Sequence, residues 1–388
     1  MPEAAPGRNL ARREEEPIYP PMIARRALPL LALPALAHAQ EGVVPTGRGP
    51  VRITDWATGL ENPWGAAFLP DGRLLVTERP GRLRLVAPDG AVSAPLPGVP
   101  PVLAEGQGGL LDVLLLPDGR HLFLSAAAML EGGAVTRLWR ARLGRQGLED
   151  AAPVLDATPA QGRGRLHYGG RMCLSPDGAH LFLTTGERNE DRMRAQRLDD
   201  LAGKVLRLTA QGQVPHDNPF AGRAGARAEI WSLGHRNPQG IAVNPPTGTL
   251  FSAEFGPLGG DELNIIRPGR NYGWPLATTG REYWGGQIAD GRSTGPGIED
   301  AVRHWTPAIS PSGIAFAPAG GFWRGDLFLA CQAPPGLVRL PMQGDAPGEE
   351  ERLFWNKVRM RHVVFAPDGA MLILTDEARG RILRVVPA

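Results

Sequence analysis

The sequence predicts an all-β protein, a six-bladed β-propeller, on three observations. One pattern recurs six times: a Gly or its equivalent, alternating apolar residues, a Pro-Asp-Gly or related turn, then a second apolar run ending in small or acidic residues. The turns fall at Pro70, Pro117, Pro176, Pro245, Pro318 and Pro367, and successive turns stand 47 to 73 residues apart. That interval leaves room for about two further strands per unit, and four strands repeated six times make a propeller. The 51 Gly and 39 Pro are spread along the chain rather than massed in one tract, as many short strands joined by tight turns require. No long amphipathic helical pattern competes with this reading. An open β-sandwich whose hairpins resemble one another by chance is the alternative, and the in-phase copies weigh against it.

Taken in order, the chain begins with a segment of a different kind. Arg25 and Arg26 precede an apolar run from Ala27 to Ala37 and the small-x-small triplet Ala37-His38-Ala39, the layout of a secretory signal. Residues 1–39 are therefore expected to be an upstream segment and a signal peptide cleaved after Ala39. The run is shorter than the ~20 apolar residues a bilayer span needs. Residues 40–388 are expected to form one exported propeller domain, periplasmic or secreted, with no integral membrane segment.

The hairpins follow as GAAFLPDGRLLVTE from Gly65, GLLDVLLLPDGRHLFLS from Gly109, GRMCLSPDGAHLFLTTGE from Gly170 and GIAVNPPTGTLFSAE from Gly240. Two more are GIAFAPAGGFWRGDLFLA from Gly313 and HVVFAPDGAMLILTDE from His362. Their arms are rich in β-favouring residues, and Asp and Gly supply the backbone geometry of the turns. The wide intervals around residues 187–235 and 256–310 are where insertions should lie, and such loops commonly carry function.

The formal charge is only +2, and no Lys/Arg block forms a nucleic-acid footprint. A nucleic-acid partner is not expected. Lys204 and Lys357 are the only lysines, so an anion site would have to be built from Arg. Cys173 and Cys331 sit in separate apolar segments and read as buried free thiols, with a disulfide left open.

If the first arm of each hairpin lines the central channel, the residues just before it share the channel mouth. That phase gathers Asn62, Gln107, His167, Arg236 with Asn237, Ser312, and Arg359 with Arg361. Gln, His, Asn and several Arg converging in one concavity suit an anionic, planar, hydrogen-bonding ligand. Asn62 also reads as a turn residue, and His235, beside the motif, as structural. A second constellation, Glu254-Phe255-Gly256-Pro257, Gly259-Gly260-Asp261-Glu262 and Asn271-Tyr272-Gly273-Trp274-Pro275, offers the carboxylates and exposed carbonyls that calcium takes. A turn-rich surface loop with solvated acids is the plain alternative.

SLGHRNPQG (Ser232 to Gly240), AEFGP followed by GDELN, NYGWP, ENPWGAAFLPDGRLLVTERPGRL and EGQGGLLDV together closely resemble the soluble PQQ-dependent glucose/sorbosone dehydrogenase family, in its aldose sugar dehydrogenase branch, over about residues 52–386. The resemblance implies pyrroloquinoline quinone (PQQ) over the channel mouth, contacted by Gln107, Arg236, Asn237, Tyr283 and the Arg359 to Arg361 segment. It implies His167 as the catalytic base, with Glu187 close by, and Arg236 stabilising charge on the reduced cofactor. Gly256 and Pro257 match carbonyls that hold a cofactor-linked calcium, and Glu262 and Tyr272 match ligands of a further calcium.

The expected reaction is oxidation of an aldose at the anomeric carbon to a lactone, with an external electron acceptor, in a monomer or homodimer. One departure stands out: Gln332 occupies a position where the family commonly has Lys, which is expected to alter the hold on the cofactor. Rival readings are a calcium-dependent propeller lactonase or hydrolase, and a non-enzymatic binding propeller.

Overall fold

Each of the six turns read from the sequence joins two paired antiparallel strands. In the computed structural model, which describes residues 42–388, the pairs are Pro63–Phe68 with Leu74–Glu78, Leu110–Leu115 with His121–Leu130, and Met172–Leu174 with His180–Thr185. The other three are Pro238–Val243 with Leu250–Glu254, Pro311–Phe316 with Leu327–Gln332, and Met360–Phe365 with Met371–Thr375. The signal segment expected at 1–39 lies outside the described residues.

The turn chemistry is local and repeats. Asp71, Asp118, Asp177 and Asp368 each accept a main-chain N–H two residues on through Oδ1, at 2.9 to 3.1 Å. Gly72, Gly119, Gly178 and Gly369 then take φ of 67° to 85°, a region in which a Cβ is disfavoured.

The first arms stand side by side in a closed ring, each against the next and Met360–Phe365 against Pro63–Phe68. Further strands extend each sheet outward: Arg82–Val86 in the first blade, Gly133–Leu143 and Leu148–Asp156 in the second, Lys204–Thr209 and Ile230–Leu233 in the third. Asp261–Ile265 and Arg303–Trp305 complete the fourth, and Pro335–Leu340 and Glu351–Leu353 the fifth. The sixth blade is built from both ends of the described chain, because Val51–Leu60 pairs with Gly380–Pro387 and carries Gly42–Val44 on its outer edge. The fold is thus a six-bladed β-propeller. Among the described residues the helical segments are two short 3-10 turns, and no helix is long and apolar enough to cross a membrane.

Apolar side chains fill the spaces between neighbouring sheets. Phe328, Ala330 and Leu337 of the fifth blade pack with Met360, Ile373 and Leu383 of the sixth, and Phe251 and Leu263 of the fourth with Leu327 and Leu329 of the fifth. Cys173 and Cys331 are free thiols.

The pairing register slips in the inner strands at Pro63/Ala66, Leu110/Val113, Pro238/Gly240, Pro311/Ile314 and Met360/His362. Such bulges re-aim side chains, here toward the channel. A buried hydroxyl from the second arm closes each gap it faces: Thr77 donates to Leu111 O (2.5 Å), Ser125 to Gly170 O (2.5 Å) and Ser252 to Gly240 O (2.8 Å). Thr77 and Ser125 also accept the N–H groups of Gly65 and Asp112. The hydroxyls of Thr77 and Ser125 therefore stitch one blade to the next. Ser312 and Arg361, read as preceding their strands, lie within Pro311–Phe316 and Met360–Phe365 and are buried in the channel.

Candidate active site

The residues gathered by phase meet where the inner strands begin. Gln107, Asn237, Gln332, Arg359 and Arg361 line one cavity of about 120 Å3, together with Trp64, Arg79, Gln239, Phe255 and Asp376. Arg359 donates to Asp376 Oδ2 (2.9 Å) and to Gln332 Oε1 (3.0 Å). Arg361 reaches the same Asp376 oxygen at 3.0 Å and donates to Gln239 Oε1 at 2.7 Å and Ser312 Oγ at 3.2 Å. Burial opposes ionisation of Asp376, but Arg361 and Arg359 outweigh it and hold its carboxyl below the usual range. Gln332 Nε2 is buried with no partner. The cavity is thus a cationic, amide-lined cradle whose arginines are oriented by one carboxylate.

Beneath it, Arg171 is fully buried, 3.1 Å from Asp112 and with its guanidinium carbon 3.8 Å from the centre of the Trp64 ring. It also donates to the carbonyl of Gln239 (3.1 Å). Trp64 thereby forms a floor backed by a cation.

His167 is buried beside this cradle and adopts φ +50°. Its Nδ1 lies 2.7 Å from Glu187 Oε1. Nδ1 facing a carboxylate carries the proton, which leaves Nε2 as the bare, basic nitrogen. Burial, and then Arg236, hold its pKa below the ordinary histidine value against the opposing pull of Glu187.

The loop that carries His167 is gripped by the cradle residues themselves. Gln107 Oε1 accepts the His167 main-chain N–H (2.9 Å), Asn237 Oδ1 accepts that of Gly169 (3.2 Å), and the Glu187 N–H donates to Arg236 O (2.9 Å). With both amide oxygens so engaged, the NH2 groups of Gln107 and Asn237 remain as donors.

Arg236 is buried, and its Nη1 donates to the carbonyls of Phe255 (3.1 Å) and Gly256 (2.8 Å). Phe255 lines both the cradle and a smaller adjoining cavity shared by Arg236, Glu254, Gly256, Glu262 and Tyr272. Glu254 and Glu262 sit opposite each other on paired strands, bridged by Asn264 Nδ2 at 3.1 Å to each. Burial, then Glu254, raises the Glu262 pKa well above normal. Two facing buried carboxylates can share a proton or offer oxygen ligands to a cation. Among the described residues no group of three or more His, Cys, Asp or Glu could hold a metal by itself, so carbonyls would have to complete such a site. The Gly256 carbonyl keeps a second lone pair, and Pro257 is buried next to it. The Tyr272 phenol is already committed, donating to Ile265 O (2.5 Å) and accepting from Arg267 N (2.8 Å), which leaves its main-chain carbonyl.

Not every phased residue joins the cradle. Asn62 takes φ +45° and accepts the Arg79 N–H, as a turn residue would. His235 is locked between Ser232 (2.9 Å), Glu254 (3.1 Å) and the stacked Tyr272 ring, and is structural. Tyr283 is 72% exposed at the tip of a turn beside Glu282, whose carboxylate pairs with Arg192 at 2.5 and 2.9 Å. It is not among the residues lining the cradle. Trp64, Arg79, Gln239 and Asp376 were missed from the sequence. Asp376 had a signal as an acid ending a repeat, and Trp64, Arg79 and Gln239 stand inside the motifs that carry the family resemblance.

The glucose/sorbosone dehydrogenase profile matches residues 60–384. The chain belongs to the glucose/sorbosone dehydrogenase family. An aldose sugar dehydrogenase of Escherichia coli strain K12, YliI, is 42% identical over 339 residues, covering 84% of this chain and 91% of that one. The crystal structure of the soluble aldose sugar dehydrogenase from Escherichia coli in its apo form superposes with a TM-score of 0.83 at 40% identity, covering 87% of this chain and 100% of that one. The PQQ-bound aldose sugar dehydrogenase of Streptomyces coelicolor superposes at 0.70 and 32% identity, covering 88% and 100%. As a member of the glucose/sorbosone dehydrogenase family, the protein is an oxidoreductase acting on sugars.

Proposed function

We propose that this chain is an exported, PQQ- and calcium-dependent dehydrogenase that oxidises aldoses at the anomeric carbon to lactones. The observation that carries the reading is the His167–Glu187 pair set at the edge of an arginine- and amide-lined cradle. PQQ fits that cradle chemically: its carboxylates would meet Arg359, Arg361 and the orphaned Nε2 of Gln332, and the NH2 groups of Gln107 and Asn237 would donate to its ring oxygens. When bound, it supplies the acceptor for the hydride leaving the sugar.

The protein's own part is proton handling and charge. Nε2 of His167 takes the proton of the anomeric hydroxyl, which drives the C–H bond toward hydride loss, and Glu187 holds the imidazole and stabilises the cation that forms. Arg236, fixed by the Phe255 and Gly256 carbonyls, presents a positive charge beside the reacting atoms. Calcium would be held by the carbonyls of Gly256 and Pro257, and a second ion by Glu262 and the Tyr272 carbonyl.

A propeller lactonase would instead need carboxylates converging on a metal in the channel. The cradle offers one, Asp376, already bound by two arginines. The test is reconstitution of purified protein with PQQ and calcium, followed by sugar-dependent dye reduction and a parallel assay of lactone hydrolysis. Dye reduction only with PQQ supports the proposal, and lactone hydrolysis without PQQ rejects it.

A further inference from the structure

His167 holds a backbone conformation uncommon for a residue with a Cβ, φ +50°, and such a conformation persists where the surrounding structure holds it. One buried side chain touches both of its neighbours. The Arg188 Nε donates to Leu166 O (3.0 Å), and the guanidinium carbon lies 3.6 Å from the centre of the Tyr168 ring. Its Nη1 donates to Ala134 O (3.2 Å), anchoring the grip in the second blade, and the Tyr168 carbonyl accepts from Thr136 Oγ1 (2.6 Å). Arg188 is itself held: its own carbonyl accepts from Gln161 Nε2 (2.8 Å), and its φ is +75°.

We propose that Arg188 is a positioning residue for the base, clamping Leu166 and Tyr168 so that the His167 imidazole is fixed between Glu187 and the cradle. Glu187 and Arg188 are consecutive, so a single tight turn carries both the partner of the imidazole and the clamp on its backbone. The planar fork matters: it bonds two carbonyls in its plane while its face covers the tyrosine, which an ammonium cannot do. Burial lowers the Arg188 pKa only to about 10, so the clamp stays charged at neutral pH. The charged groups acting on His167 are Arg236, Glu187 and Arg188, and removing Arg188 takes away a positive neighbour that keeps the imidazole neutral.

The proposal rests on His167 being the base, so the experiment separates the two. Arg188→Met keeps the stem over Tyr168 and removes the fork, and Arg188→Lys keeps the charge without the fork. In cofactor-free protein, NMR titration of the His167 imidazole is expected to show a higher pKa and loss of the single Nδ1–H tautomer in Arg188→Met. In Arg188→Lys the pKa should stay near wild type while the tautomer is again mixed. In reconstituted enzyme kcat should fall by roughly tenfold or more in both, with KM for sugar and PQQ affinity changed less than about twofold. Should Arg188→Met not fold, Arg188→Lys decides by the same readouts. A wild-type imidazole titration and tautomer with undiminished kcat in the folded variant overturns the clamp, whether or not His167→Gln has removed activity. If His167→Gln stays active while the Arg188 variants disturb the imidazole, the base assignment fails and the clamp stands.

Discussion

At the level of single residues, the site separates groups that act from groups that hold. His167→Gln should lower turnover by ~10²-fold or more, the usual scale of a general base. PQQ binding should persist, because the bond from the residue-167 main chain to Gln107 survives the change. Stopped-flow turnover beside a PQQ titration reads both. Since burial and Arg236 depress the His167 pKa, the base stays neutral down to below pH 6.5, and the acid limb of kcat/KM should lie below that value. Glu187 pulls the pKa up, so Glu187→Gln should move the limb further toward acid while lowering kcat. A limb above pH 6.5 in the wild type contradicts this account. Gln332 is not idle: it orients Arg359 through Oε1, and its buried Nε2 has no partner within the protein. Gln332→Ala should weaken PQQ binding by about 1 kcal/mol, roughly fivefold, by loss of one hydrogen bond and a freed guanidinium; calorimetric titration with unchanged affinity would show the residue to be a bystander.

The unit of construction at the level of elements is a bulged inner strand with a hydroxyl plugged into it. Ser125 donates to Gly170 O in the next blade and accepts from Asp112 N in its own. Ser125→Ala leaves two buried main-chain groups unpaired, and denaturant unfolding should show a loss of about 1–3 kcal/mol. A loss near zero would mean that the strands relax to re-pair. The hairpins were legible in the sequence because a turn is a local code: in four of the six, an Asp side chain and a positive-φ Gly act within four residues. The outer strands were not, since they follow no common turn and range from Leu148–Asp156 to the three residues Arg303–Trp305 beyond a long insertion. The site divides along the same line. Gln107, His167, Arg236 and Asn237 stand at the strand entrances and share a phase. Trp64 and Gln239 belong to bulged stretches, where alternation of side chains breaks down and sequence spacing no longer tells channel from interior. Arg188 needed the third dimension, because the neighbours it grips, Leu166 and Tyr168, are distant in sequence.

For the whole molecule the controlling fact is ring closure. The cradle draws on the starts of several inner strands, from Trp64 near one end of the ring to Arg361 in the last blade, so its geometry depends on every blade keeping its angular place. Closure depends on the chain's early strands completing the last sheet: Val51–Leu60 pairs with Gly380–Pro387, and Val51 and Ile53 sit in the core shared with Met360, Ile373 and Leu383. The join is latched from the side by Arg48, which pairs with buried Asp326 at 3.2 Å. A chain that starts at Glu61 would expose the edge of Gly380–Pro387 and uncover Ile382, Leu383 and Val385, an unpaired apolar edge of the kind that drives association. Such a truncation is expected to be insoluble or to melt many degrees below the full protein, and to lose PQQ binding although no cradle residue has been removed. Supplying residues 42–60 as a separate peptide should restore part of the melting temperature and the cofactor titration together, since both follow from the same closed ring. A truncated chain that melts with the full protein and still binds PQQ would show that the other strands close the ring alone.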